Sequence, residues 1–197
     1  MLKDHFESIQ KELSTLQNIE KEQAFDLKIK LWDRIPQKDL FQGNYSTCCI
    51  ALDRVNGKAM PDYLLSTSIN MIEIVDNRNG NTIGNALCFL AVDENGKTCF
   101  IIDNIEINNN YRLSEEASGK LLYAIKAYAS KFCKTFSKEE LPIYMGNFYN
   151  DVKAKGTYCT KTIEFLGKVN TSNLYLDIFG SWTRANNLKK EVNVCKL

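Results

Sequence analysis

The feature that most restricts the fold is a pair of Asn-Gly steps, Asn79-Gly80 and Asn95-Gly96, set between runs rich in Ile, Leu, Val and Thr. An Asn-Gly step accepts the positive φ that tight hairpin turns demand, so β-rich runs on either side of it pair as antiparallel strands. The runs here are YLLSTSINMIEIVD, TIGNALCFLAV and CFIIDNIEI, so residues 62–107 are expected to form a three-stranded antiparallel meander. The DNRNGN segment at 76–81 superficially resembles the start of a calcium loop. It lacks the alternating acidic ligands, and Leu87 stands where the closing Glu belongs, so it reads as a turn.

Helical periodicity flanks the meander. Leu2, Phe6, Ile9, Leu13 and Leu16 form a stripe at helical spacing, and Ala24, Leu27 and Leu31 continue it in a shifted phase until Pro36. One long helix or two short ones are expected over about residues 2–33, packed on the chain's own sheet. The run TCCIALD, from Thr47 to Asp53, is strand-like. Downstream, Ser114 followed by Glu115 and Glu116 is an N-cap with acidic residues in the first turn. Leu121, Leu122, Ile125, Tyr128, Ala129 and Phe132 then recur at helical spacing. LPIYMGN reads as a short buried strand, Asn150 and Asp151 as the cap of a brief helix, and IEFLGKV and LYLDIFGSW as a final strand pair. The tail after Arg184 is polar and expected to be loose. The expected organisation is a helical segment at 1–40 packed on an α/β domain at 41–184, with a polar tail at 185–197.

Bulk properties exclude several functions. The 197 residues carry 25 basic and 24 acidic side chains, so no global field favours nucleic acid or a membrane surface. No apolar run reaches 18 residues, the length of a membrane span, and the N-terminal MLKDHFESIQKELSTLQ holds no apolar core of signal-peptide length. The seven cysteines include no C-x-x-C pair, so the usual zinc and redox spacings are absent and no metal is expected. They read as buried, reduced thiols of a cytoplasmic protein. Cys48 and Cys49 have no His nearby and no Lys or Arg close by in sequence to activate them, so they read as small buried apolar groups. The single histidine, His5, lies in the N-terminal stripe, which argues against a Ser-His-Asp or Cys-His centre.

The order of helices, antiparallel strands, helix, strand and two closing strands resembles the GNAT N-acetyltransferase superfamily. The local match is IIDNIEINNNYRLSEEASGKLLYAIKAYASKF. In such proteins a strand leads through a basic, glycine-rich loop into a helix of the form "KLL..a...yA"; here the strand is Ile102–Ile107, the basic residue Arg112, and the helix runs from Lys120 through Ala129. The resemblance implies an α/β (α+β) fold: a mixed, mainly antiparallel central sheet with flanking helices. It also implies acetyl-CoA as co-substrate, held near Ile105, Ile107, Arg112, Ser118, Gly119 and Lys120. Glu106 would be the general base, with Asp103 or a water relay as the second choice, and Tyr149 the acid that protonates the leaving thiolate. The acceptor would be an amine of a small molecule or a protein.

One departure opens a second reading. Backbone amides approach a pyrophosphate most closely where the loop is glycine. Here the loop reads NYRLSEEASGK, with Gly119 its only glycine and Glu115 and Glu116 where phosphate would come. Either the loop folds differently, or an anion-free partner fills the groove, or CoA binding is lost. In the last two cases the chain is a non-catalytic, GNAT-like binding or regulatory protein that engages another protein.

Overall fold

The computed structural model describes residues 26–54, 57, 63, 66–111, 113–147, 152–167, 174–183 and 188–197. The N-terminal stripe up to Ala24, His5, and the cap at Asn150 and Asp151 lie outside the described residues.

The meander forms as its turns dictate. Strands β2 (Ile69–Asp76), β3 (Asn81–Val92) and β4 (Thr98–Ile107) pair antiparallel in sequence order. Gly80 and Gly96 take φ of 75° and 73°, the left-handed values these turns require. The first strand starts at Ile69 rather than near residue 62.

Strand β1 (Leu27–Leu31) corrects the helical reading of that segment: it pairs antiparallel with β2 at the sheet edge. The local pattern LKIKL alternates, and its period of two prevails over the longer helical spacing drawn through Leu27 and Leu31. Pro36 likewise begins a helix instead of ending one. It occupies the first turn of α1 (Pro36–Leu40), where its missing N–H is no loss. Inside α1, buried Asp39 accepts hydrogen bonds from Trp32 Nε1 at 2.8 Å and Arg34 Nε at 3.1 Å. The Arg34 guanidinium reaches on to the carbonyls of Ile69 and Tyr63, fastening α1 to the start of β2. A second short helix, α2 (Gln42–Tyr45), follows. Residues 47–54 are turns rather than the expected strand, because Thr47 adopts φ of 55° and breaks the extended path.

Helix α3 (Glu115–Cys133) starts where its cap predicts: Ser114 Oγ accepts from the Ala117 N–H at 3.2 Å. Leu121, Ile125, Ala129 and Cys133 form its buried stripe. Strand β5 (Ile143–Gly146) then pairs parallel to β4, over Phe100–Ile102 only.

The closing strands differ from expectation. Strand β6 (Tyr158–Phe165) includes IEF, but its partner is β9 (Lys189–Lys196), formed by the supposed loose tail. LYLDIFGSW instead folds back on itself as β7 (Leu174–Leu176), a 3₁₀ turn at Asp177–Phe179, and β8 (Ser181–Thr183). Gly180, at φ of 60°, reverses the chain there. The tail becomes a strand because Val192 and Val194 alternate and bury one face in the core.

The sheet order is β1-β2-β3-β4-β5-β9-β6, and β6 also pairs with the end of β3, so the sheet curls on itself. This is a mixed, mainly antiparallel sheet with α3 on one face and α1–α2 on the other. One core lies under α3 and contains Ile72, Ile74, Ile102, Ile105, Leu121 and Ile125. The second lies inside the curl and contains Trp32, Leu87, Phe89, Ile101, Phe165 and Val194.

Because β9 bridges β5 and β6, Val194→Asp should destabilise the protein by more than about 3 kcal/mol, the signature of a charge forced into a core. Urea unfolding checks this; a change under about 0.5 kcal/mol, the value for surface sites, would mean that the tail is loose after all.

Candidate active site

A β-bulge in β4 builds the site. Cross-strand partners run Cys88–Ile102 and then Leu87–Asn104, so Asp103 is an extra residue with no opposite number. One extra residue reverses the side-chain alternation beyond it. Before the bulge, Phe100 and Ile102 face the α3 core while Cys99 and Ile101 face the other. Beyond it, Ile105 and Ile107 take over the α3 side, and Asn104 and Glu106 join Asp103 on the opposite face. Unbroken alternation would have driven Glu106 under α3.

On this face Glu106 meets the α2 segment. Its Oε1 accepts from Cys48 Sγ at 2.8 Å and from Asn104 Nδ2 at 3.4 Å, and its Oε2 accepts from Ser46 Oγ at 3.2 Å. Burial pushes its carboxyl up to about 7; the Cys48 hydrogen bond opposes the rise, and the charge of Asp177 adds to it. The Cys48 thiol is driven far up by Cys49 beside it, by burial and by the charge of Glu106, so it carries its proton and donates. Next in line, Asn104 Nδ2 donates to Asp177 Oδ2 at 2.5 Å. Asp103 accepts from the N–H groups of Asp177 and Ile178 at 2.9 and 2.7 Å, which ties the 3₁₀ turn to β4. Burial, with the Asp177 charge second, holds the Asp103 carboxyl well above the usual carboxylate range. Buried Tyr63 is raised too, by burial first and then by the charges of Asp103 and Asp177.

A polar row leads away from Glu106 across the sheet. Cross-strand pairing aligns Lys30, Glu73, Asn85 and Glu106 on β1 to β4. Above it, Lys38, Gln42 and Ser46 recur every fourth residue: Lys38 reaches Glu73 at 2.5 Å and Ser46 reaches Glu106. The side chains of Gln42 and Asn85 are fully buried between these two contacts. Glu73, only 2% exposed, is also bound by Lys30 and Thr82.

The second feature is a groove of about 730 Å³ beside α3. Ser118, Gly119, Leu122, Tyr123 and Lys126 line one wall, and Lys153, Ala154 and Lys155 the other. A Cβ on Gly119 would meet nothing within 4 Å, so the helix backbone faces open space there. Glu115 also lines the groove, but Lys155 neutralises it at 2.6 Å. Glu116 pairs with Lys120 at 2.6 Å on the other flank of α3, where both line a separate hollow with Leu27 and Leu121.

The structure therefore brings Ser118 and Gly119 to one groove and turns Lys120 away from it. Ile105 and Ile107 are buried against α3, while Glu106 and Asp103 share the opposite face. Arg112 and Tyr149 lie outside the described residues. Missed in the sequence were Ser46 and Cys48 as partners of Glu106, which come from 60 and 58 residues away. No His, Lys or Arg near Cys48 in sequence marks it, because its partner is a carboxylate 58 residues away. Lys153 and Lys155 were equally overlooked; their KAK spacing was the available signal.

No protein-family model matches the sequence, and a search of curated proteins finds no match. Among solved structures, a ribosomal-protein-alanine N-acetyltransferase from Brucella melitensis biovar Abortus 2308 aligns at 17% identity and a TM-score of 0.41, over 61% of this chain and 81% of that one. A Trypanosoma brucei acetyltransferase aligns at 16% identity and a TM-score of 0.34, over 54% and 77%. A GCN5-related glucosamine N-acetyltransferase region of a fungal multi-domain β-N-acetylglucosaminidase aligns at 14% identity and a TM-score of 0.39, over 67% of this chain and 15% of that one. All three of those proteins are described as acetyltransferases. At these values the chemistry rests on this chain's own residues.

The raised carboxyl of Glu106 has a consequence for stability. A carboxyl lifted from 4.5 to about 7 by folding favours the protonated, acidic side. Its stabilising effect is complete below pH 4.5 and is lost as pH rises through 7, a swing on the order of 3 kcal/mol. Urea unfolding from pH 4.5 to 8 should show this fall in wild type and lose that share in Glu106→Gln. Parallel curves for the two proteins would show that Glu106 titrates normally.

Proposed function

We propose that this chain is an acyl-CoA-dependent N-acyltransferase that passes an acetyl group directly to an amine. The carrying observation is a carboxyl of raised pKa, Glu106, near the end of β4, in a chain that also holds a lysine-lined groove at the start of α3. A base that titrates near neutrality is matched to taking a proton from an ammonium or attacking amine at physiological pH. Cys48, Ser46 and Asn104 hold its two oxygens in place, so its lone pairs keep a defined direction.

The groove suits the phosphorylated end of acetyl-CoA. Lys126 and Lys153 supply positive charge, Lys155 offsets Glu115, the bare backbone at Gly119 permits close approach, and the N-terminal end of α3 adds its dipole. Leu113, Leu122 and Ala154 offer apolar surface to the rest of the molecule. Arg112 contributes further charge in this reading, and Tyr149 protonates the departing thiolate. The acceptor is an amine of a small molecule or of a protein, and a cytoplasmic setting suits the cysteine-rich composition.

A second reading has its own support. Glu115 stands on the groove wall, and Ser114 Oγ already occupies the Ala117 amide, so the helix start offers fewer donors to phosphate. In that case the same groove receives a segment of a partner protein and the chain is a non-catalytic relative.

Titration with acetyl-CoA and plain CoA separates the two. Binding to the native state raises the melting temperature by linkage, and Lys153→Glu with Lys155→Glu should weaken that effect. Glu106→Gln should cut turnover by roughly 10²–10⁴-fold while leaving CoA affinity nearly unchanged. Wild-type turnover should rise with pH through about 7, as the base loses its proton. No shift in melting temperature at millimolar CoA would sink the catalytic reading and leave the binding module.

A further inference from the structure

Two thiols stand beside Glu106. Cys48 and Cys49 are adjacent, and their Sγ atoms lie 4.0 Å apart. Cys49 is exposed to solvent, whereas Cys48 is buried with its thiol on Glu106 Oε1 at 2.8 Å. One thiol of the pair therefore meets small molecules, and the other meets a carboxylate able to accept its proton. The preceding Thr47 sits at φ of 55°, an unfavourable value for a β-branched residue. Two side-chain contacts hold it there: Thr47 Oγ1 donates to the Ser46 carbonyl at 2.7 Å and accepts from the Asn109 N–H at 2.9 Å. The thiols are thus presented by a pinned turn.

We propose that Cys48 and Cys49 are a thiol–disulfide exchange site that closes to a reversible disulfide on reaction with a low-molecular-weight disulfide such as oxidised glutathione, with Glu106 taking the Cys48 proton in the closing step. In the first step the Cys49 thiolate attacks one glutathione sulfur. A Cys49–glutathione mixed disulfide forms, and the other glutathione leaves as a thiolate that picks up the proton Cys49 released. In the second step Cys48 Sγ attacks Cys49 Sγ while its proton passes to Glu106. The Cys48–Cys49 bond forms, the Cys49–glutathione bond breaks, and the second glutathione leaves as a thiolate that recovers that proton. The two cysteines are oxidised by two electrons, and one oxidised glutathione becomes two reduced ones.

The product is a switch rather than a staple. Adjacent Cα atoms are about 3.8 Å apart across a trans peptide, below the roughly 4.4–6.8 Å that an unstrained disulfide spans. Strained, accessible disulfides are easily reduced. Closure also removes the thiol donor from Glu106 Oε1. If Glu106 is the acyltransfer base, oxidation of the pair alters the very group that performs the chemistry; this consequence, unlike the exchange itself, rests on that reading.

The test incubates the native 197-residue chain with oxidised glutathione, quenches with acid, and reads intact mass and peptide maps. Wild type should lose two hydrogens in the peptide that holds Cys48 and Cys49 and regain them with reduced glutathione. Cys48→Ala should stop at the mixed disulfide on Cys49, and Cys49→Ser should leave Cys48 unmodified. Glu106→Gln should accumulate the mixed disulfide and close at least about tenfold more slowly, in keeping with the loss of a general base. Glu106→Asp, which keeps the charge but draws it back from Sγ, should close at an intermediate rate. A wild-type protein that stays reduced, or halts at the mixed disulfide, overturns the proposal. Closure at the wild-type rate in folded Glu106→Gln and Glu106→Asp overturns the role of the carboxylate. No acyl donor is present, so failure here leaves acyl transfer standing, and a protein that binds no CoA can still show the exchange.

Discussion

Everything at the candidate site depends on one extra residue in one strand. Asp103 has no opposite number on β3, and the resulting bulge shifts the pleat of β4 by one position. Both cores are then satisfied at once: Ile105 and Ile107 seal the sheet against α3, while Asn104 and Glu106 face α2 and the 3₁₀ turn. The bulged residue is itself used, because the Asp103 carboxylate caps two backbone amides of that turn. A strand of regular alternation would leave the carboxylate of Glu106 among isoleucines, where an ion without partners is very costly.

The same bulge sets the electrostatics. Three carboxyls, from Asp103, Glu106 and Asp177, converge on one buried face, and the first two are held above their ordinary values. Their proximity is tolerated because amide, thiol and hydroxyl donors surround them, and because protonation relieves whatever repulsion remains. Farther along the row, Glu73 is more completely buried and faces Lys30 and Lys38. Partner charge thus distinguishes Glu73, which is ion-paired, from Glu106, which is held by neutral donors. This second arrangement suits proton transfer, since a neutral donor does not stabilise the carboxylate as strongly as a cation does. In the proposed function the two sides of β4 divide the work, with anion binding at the groove by α3 and proton handling on the opposite face.

How much of this was legible follows from the range of each signal. The meander was readable because Asn79-Gly80 and Asn95-Gly96 act within four residues of themselves. Helix α3 was readable because its cap and apolar stripe are also local. The neighbourhood of Glu106 was not, since Ser46 and Cys48 approach from the far side of the domain. The strand β1 was misread because Leu27 and Leu31 satisfy a helical spacing as well as an alternating one, and only pairing with β2 selects the second. The tail was misread for a similar reason: KKEVNVCK looks polar until Val192 and Val194 are seen filling the curl between β5 and β6.

The sequence by itself determined the pieces whose free energy is settled among near neighbours: the turns, the capped helix, the antiparallel order of β2 to β4, and a carboxylate near the end of β4. Tertiary structure alone decided which face that carboxylate occupies, that its oxygens rest on Ser46 and Cys48, and that lysines of a distant segment face Ser118 and Gly119 across a groove. The physical reason is that a side chain's face depends on strand register, and register is a property of pairs. A bulge at Asp103 exists only relative to β3, and the protonation of Glu106 depends on water excluded by segments that come together only in the folded chain.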